Sequence, residues 1–372
     1  MLDAESIQSL HQACLVILYN TFLKTPRCPT GSLFMLVLGI ETSCDETAAA
    51  VLKDGSHLLS SIIFDQNNIH SKYGGVVPEL AGRSHVETIH HVVQDALKEA
   101  GVCLDEIDLI AVTKGPGLIA SLLVGLNTAK ALAYALGKPL IGVNHLEGHL
   151  LAIFLQEAVE FPFIALTVSG GHTDLYRVDG FGTYKKLGRT RDDAAGESFD
   201  KVAKMLKLGY PGGPAIEKTA RQGDSSAYSF PRAFLEKGSL DFSFSGLKTS
   251  VRNVIAKRER GQGPVLSDED ICAGFQMAAI DVLSIKLVLA CEQEGLNRVV
   301  VTGGVAANRA LRERVVHVGK KNGIKAWFPK PVFCTDNAAM IACAGYHKCR
   351  DSIPPVKNSL DLDASASLKL GL

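Results

Sequence analysis

The chain has 372 residues, enough for two domains or two large halves. Hydrophobic residues make up 47% and charged residues 21%, the balance of an ordinary globular enzyme. Lys+Arg and Asp+Glu both number 39, so the formal net charge is zero; this excludes a protein that holds nucleic acid by bulk charge alone, though not one with a local basic face or a partner that supplies one.

Nine cysteines are irregularly spaced, at 14, 28, 44, 103, 272, 291, 334, 343 and 349, and no C-x-x-C occurs. That argues against a disulfide framework or a cysteine zinc site and favours a reducing cytoplasm. No stretch reads as long and apolar enough to span a bilayer. Residues 1–34 are neither Arg-rich and acid-poor nor built as a basic region before an apolar core. They read as a loosely attached extension, or as a start placed ahead of Met35.

Residues 36–40 form a short apolar run expected to be a buried strand. The turn Glu41-Thr42-Ser43-Cys44-Asp45-Glu46-Thr47 follows, and then a second strand at 48–52. Hydroxyls, backbone N–H groups and the carboxylates of Glu41, Asp45 and Glu46 suit phosphate held directly or through a divalent cation; an acidic hairpin turn is the plainer alternative. Residues 60–66 predict a strand, 72–79 a Gly/Pro loop, and 80–101 a helix with Arg83 and His85 in its first turns and His90 and His91 on its surface. A strand at 107–112, a tight turn at 114–118, a small-residue helix at 120–136 and a strand at 139–143 complete a β-β-β-α-β-α-β-α order with the helix that follows.

That helix starts at Asn144-His145-Leu146-Glu147-Gly148-His149. Residues four apart share a helix face, so both imidazoles can reach one metal ion, while Glu147 points elsewhere. Two histidines lining an ordinary helix is the alternative. A site with two protein ligands is incomplete, and the best place to look for a third is Cys334-Thr335-Asp336-Asn337.

The second half repeats the grammar: strand 163–168, turn Ser169-Gly170-Gly171-His172-Thr173, strand 174–178. Its glycines let backbone approach an anion closely. Two such hairpins suggest a duplicated fold with phosphate loops facing each other. Residues 192–201 open a helix running to 208, and the turn at 210–214 starts another at 215–221. Residues 241–249 predict a strand and polar turn into a helix carrying Arg252, Lys257, Arg258 and Arg260. A long helix spans 268–294, and a strand at 298–302 ends in the glycine turn Gly303 to Arg309. Asp336 has a plain reading as the cap of a small-residue helix at 338–348, and the tail after 351 is expected to be mobile.

Taken together, the motifs at 39–47, 145–149, 168–173, 210–214, 242–249, 303–309 and 334–337 resemble, in order, the bacterial TsaD family, formerly labelled O-sialoglycoprotein endopeptidase (Gcp). The resemblance runs from residue 35 to 350, and departs in the extension at 1–34 and in Ala338, where glycine is expected. It implies an α/β fold of the actin/Hsp70/sugar-kinase (ASKHA) type, two RNase H-like halves around a nucleotide cleft, with 35–160 as the first half, 161–350 as the second and 351–372 as a tail. It implies transfer of the threonylcarbamoyl group from threonylcarbamoyl-AMP to N6 of the adenosine 3′ of the anticodon, in tRNAs reading codons that begin with A.

The same resemblance assigns His145, His149 and Asp336 as ligands of one divalent metal, with iron(II) favoured and zinc possible. The adenylate falls to Thr167, Val168, Ser169, Gly170, Gly171, Asp200, Gly213, Glu217 and Asn308. Asp45 or Glu46 is expected to take the proton lost by the attacking amine. TsaB-like and TsaE-like subunits and tRNA are the implied partners, with no membrane, and the small-residue helices at 120–136 and 338–348 are candidate packing faces. Competing readings are an ATP-driven phosphotransferase or ATPase on the same fold, a non-catalytic subunit, and a metalloprotease. The last is disfavoured because H-x-E-G-H is not H-E-x-x-H.

Overall fold

The computed structural model describes residues 34–234, 236–349 and 360–370; the expected N-terminal extension, Phe34 apart, lies outside them. The chain divides into two compact units. In the first, β1 (Leu36–Glu41), β2 (Glu46–Lys53), β3 (His57–Asp65), β4 (Leu109–Gly115) and β5 (Leu140–Asn144) form one sheet in the order β3-β2-β1-β4-β5. β1 is antiparallel to β2 and parallel to β4. All six of its residues are buried, as befits a central strand covered on both faces. Helix α1 (Pro78–Ala100) starts with proline in its first turn and ends at Gly101 with φ +68°, the usual asymmetry of helix ends. Helix α2 (Ile119–Leu136) and the short α3 (His145–Leu151) complete the predicted order.

The second unit repeats this plan. β6 (Phe163–Val168), β7 (Thr173–Gly180), β8 (Thr183–Arg189), β9 (Arg298–Thr302) and β10 (Lys325–Trp327) lie in the order β10-β9-β6-β7-β8. β6 is antiparallel to β7 and parallel to β9, matching β1 with β2 and β4. The duplicated hairpin expected from the sequence is therefore present. Helices α4 (Ala195–Met205), α5 (Gly212–Ala220), α6 (Ser245–Glu259), α7 (Asp268–Glu294) and α8 (Arg309–Lys321) join these strands.

Several expectations need correction. The strand expected near 241 is only an isolated bridge between Thr190 and Phe242. β8 went unread, because it is an edge strand whose polar residues lack an apolar stripe. Helix α9 (Ala338–Cys349), expected with the second half, packs on the first sheet. The contact is made by small residues: a Cβ on Gly39 would stand 2.2 Å from the Ala338 carbonyl oxygen, and one on Gly345 2.5 Å from Ala111 Cβ. Residues 338–345 of α9 are buried within the protein, so that stretch is taken up by the first sheet and is not free as a packing face.

Nor is the whole tail loose. Ser365 N–H donates to the Lys114 carbonyl at 2.8 Å, Gly117 N–H donates to that of Ala366 at 3.2 Å, and Leu360, Leu362 and Ala364 pack on the first core. Contrary to expectation, α2 and α7 are long and apolar enough to cross a bilayer by composition, but 78% of the α7 window is buried inside the protein, as in a core helix.

Candidate active site

The first unit brings His145, His149 and Asp336 together. β5 ends at Asn144, whose side chain accepts the Leu146 N–H at 2.9 Å and so fixes where α3 begins. His145 is thus the first residue of α3, at the C-terminal end of a strand, and His149 stands one turn later. Asp336 arrives from the segment before α9. The helix-capping bond there is made by Asn337, which accepts the Met340 N–H at 2.9 Å, so the plain reading of Asp336 as the cap does not hold.

His149 Nε2 lies 3.1 Å and His145 Nε2 3.5 Å from Asp336 Oδ1. One ligand atom from each residue falls within 4.8 Å of the others, the sole such grouping among the described residues. Two nitrogens and one carboxylate oxygen, largely buried, fit a divalent transition metal and leave coordination positions for a substrate. Glu147 turns away, as expected, and pairs with Lys348 at 3.0 Å.

Behind the histidine stands a residue whose role the sequence reading missed. Glu41 Oε2 lies 3.1 Å from His145 Nδ1 and accepts the Thr113 hydroxyl at 2.6 Å, while Glu41 Oε1 accepts the Ser43 N–H at 2.5 Å. A carboxylate on Nδ1 leaves Nε2 for the side where Asp336 stands. Burial disfavours the imidazolium, but the charges of Asp336 and Glu41 outweigh it and, with no metal present, raise His145 to about 9. Burial likewise opposes ionisation of Glu41, yet His145 beside it holds the carboxyl below its ordinary value. In the sequence Glu41 stood out only as one carboxylate of an acidic turn at the end of the first strand, with nothing to pair it with His145.

The same turn carries Asp45 and Glu46. Burial, then the charges of Asp336, Asp45 and Glu41, push the Glu46 carboxyl well above its usual range. The turn is tied to the loop before α2 by Leu118 N–H donating to the Ser43 carbonyl at 2.8 Å, and to α2 by the Thr42 hydroxyl donating to Ser121 O at 2.8 Å.

The expected adenylate residues all lie in the second unit, linked in a chain of contacts. Ser169 N–H donates to the His172 carbonyl at 2.8 Å, and Ser169 Oγ accepts the His172 N–H at 3.1 Å, closing a tight turn after Thr167 and Val168 at the end of β6. Gly170 and Gly171 at its tip are exposed, with no atom within 4 Å of where a Cβ would stand, so their backbone is open to a ligand. Gly196, at the start of α4, donates its N–H to the Ser169 carbonyl at 3.2 Å. Asp200 on α4 accepts the N–H of Gly212 at 2.8 Å, which joins it to the start of α5 beside the open Gly213.

Glu217 on α5 accepts the Arg309 N–H at 3.2 Å and pairs with Arg221 at 3.1 Å. Asn308 caps α8 by accepting the Leu311 N–H at 3.0 Å and donates to Gln276 at 2.8 Å, so its amide already has structural work. Gly303, with φ +90°, returns the chain to β6: a Cβ there would lie 2.4 Å from the Val168 carbonyl oxygen. Gly303, expected in a glycine turn at a strand end, thus shapes this site together with Gly196 and Gln276, which were not expected there; the signal for Gly196 was a small residue in the first turn of a helix.

A family model described as TsaD, tRNA N6-adenosine threonylcarbamoyltransferase, matches residues 57–343. The chain belongs to the TsaD family. Curated relatives of that description include one from Geotalea uraniireducens, 54% identical over 331 residues, which are 89% of this chain and 95% of the relative. One from Geobacter metallireducens is 55% identical over 335 residues, 89% of this chain and 96% of that one. Another from Clostridium beijerinckii is 50% identical over 337 residues, 90% and 98% of the two chains.

Among solved structures, full-length HypF in a phosphate- and nucleotide-bound form aligns with a TM-score of 0.55 at 14% identity, over 90% of this TsaD-family chain and 47% of its own. Component A of (R)-2-hydroxyglutaryl-CoA dehydratase from Acidaminococcus fermentans aligns with a TM-score of 0.50 at 15% identity, over 85% and 99%. These likenesses bear on the fold alone, which is the α/β actin/Hsp70/sugar-kinase type with its two related halves.

Proposed function

We propose that this chain transfers the threonylcarbamoyl group from threonylcarbamoyl-AMP to N6 of the adenosine 3′ of the anticodon in tRNAs reading codons that begin with A, with release of AMP. The observation that carries this reading is identity of half or more, over about nine-tenths of the chain, to relatives named tRNA N6-adenosine threonylcarbamoyltransferase.

In the reaction, the N6 amine of adenosine forms a bond to the carbamoyl carbon, the bond from that carbon to the AMP phosphate oxygen breaks, and N6 gives up a proton. His145, His149 and Asp336 would hold one divalent metal, iron(II) by preference and zinc as the alternative; their proximity supports this assignment. Such an ion, when bound, supplies electrophilic polarisation of the carbonyl. The open backbone of Gly170 and Gly171 receives the phosphate, and the Ser169 turn holds that backbone in place. Asp200 serves the ribose hydroxyls. Thr167, Val168 and Gly213 line the same loops, while Glu217 and Asn308 act by holding α5 and α8. Glu46, assisted by Asp45, receives the N6 proton, a role its raised proton affinity favours.

The neutral net charge makes shared tRNA binding with TsaB-like and TsaE-like subunits the natural arrangement. Exposed Ile119, Leu123 and Tyr134 on α2 supply a face for such a subunit. The described cysteines are all free thiols, which suits the cytoplasm.

The test combines the purified chain, TsaB-like and TsaE-like subunits, threonylcarbamoyl-AMP and a tRNA reading an A-initial codon, with mass spectrometry of the digested tRNA. Threonylcarbamoyladenosine and an equal yield of AMP are expected. ATP hydrolysis with no modified nucleoside would move the chain to the phosphotransferase reading.

A further inference from the structure

His85 on α1 is fully buried and faces the turn between β1 and β2. Its Nε2 lies 2.9 Å from the Cys44 carbonyl oxygen. A carbonyl only accepts, so Nε2 carries a proton and donates it. Its Nδ1 lies 2.7 Å from Thr47 Oγ1, with the Gln66 amide nitrogen at 3.5 Å. Thr47 Oγ1 is backed by Thr88 Oγ1 at 3.0 Å, whose hydroxyl donates to the Ser84 carbonyl at 2.8 Å on the same helix.

The two residues this ring holds, Cys44 and Thr47, are the immediate neighbours of Asp45 and Glu46. One side chain on a long, well-packed helix therefore sets both ends of the carboxylate pair.

We propose that His85 is a positioning residue for the transfer reaction, clamping Cys44 and Thr47 so that the Asp45–Glu46 pair stands at a fixed place. This rests on the function proposed above and on the role given there to that pair. His85 acts through the turn. Without the clamp the carboxylates move relative to the amine whose proton they take, and displacement of about 1 Å is enough to slow a positioned reaction severely.

The test compares wild type, His85→Leu and His85→Gln. The glutamine amide can stand where Nε2 does and donate to the Cys44 carbonyl; leucine fills the space without a polar atom. At saturating tRNA and threonylcarbamoyl-AMP, the leucine variant should lose roughly tenfold to a hundredfold in kcat, with KM and metal content near wild type, and the glutamine variant should recover most of the loss. Hydrogen exchange read by mass spectrometry should show the peptide spanning 42–47 opening faster in the leucine variant only. Wild-type kcat in the leucine variant, or equal loss of turnover, metal and melting temperature in both variants, would overturn the proposal. Should wild type itself make no product, the function fails and the exchange rates alone decide the clamp: an unchanged rate in His85→Leu overturns it.

Discussion

With no metal present, burial and neighbouring carboxylates push Glu46 above the ordinary carboxylate range, which suits it to the role of base proposed above and narrows the pH range in which that role can be filled. The sign is set by the direction of the shift. Below the raised value Glu46 is protonated and cannot accept the amine proton; above it the carboxylate is free to do so. Turnover should therefore climb with pH through that value and then level. Glu46→Gln should lower kcat by about 10²–10⁴-fold, abolish the climbing limb and leave metal content unchanged. Asp45→Asn, which removes one of the charges that raise Glu46, should shift the limb toward lower pH. Wild-type turnover at saturating tRNA in both variants would remove the pair from the chemistry.

Among the elements, the segment at 360–370, expected to belong to a mobile tail, ties directly to the start of α3. Its apolar and polar residues alternate from Leu360 to Leu370, the pattern of a half-buried strand, yet it joins neither sheet and bonds instead to the end of β4 and the loop after it. Asn144, the cap of α3, reaches the carbonyls of Leu368 and Lys369 at 3.5 and 3.4 Å. Ending the chain after residue 359 removes Leu360 and Leu362 from the first core, a loss of about 2–4 kcal/mol by the value of buried aliphatic side chains. The shortened chain should melt several degrees lower, at roughly 2–4 °C per kcal/mol, and bind metal less tightly because the cap of α3 is loosened. An unchanged melting temperature and metal affinity would mean that the segment adds nothing to either.

At the scale of the whole molecule, the strand runs, the two hairpins and the H-x-E-G-H helix could all be read from the chain, because each is a local pattern: an apolar run, a glycine turn, a four-residue spacing. What could not be read depends on packing between distant segments. Ala338 to Cys349 reads as a helix from its small residues, but its place on the first sheet is decided by Gly39 and Gly345, whose missing side chains permit the approach. Glu41 reads as one acid in an acidic turn; only the fold puts His145 beside it. His85 reads as a helix residue until Cys44 and Thr47 are seen on either side of its ring.

Under the proposed function, His145, His149 and Asp336 hold the metal that serves threonylcarbamoyl transfer. The most direct measurement is metal content and transfer in one preparation, for wild type and His145→Ala, with partner subunits, threonylcarbamoyl-AMP and tRNA present. Close to one metal per wild-type chain and modified adenosine are expected, with both lost in the variant whose fold is intact by circular dichroism. A His145→Ala protein that keeps full transfer without its metal, or a metal-loaded wild type that makes no product, would contradict that reading.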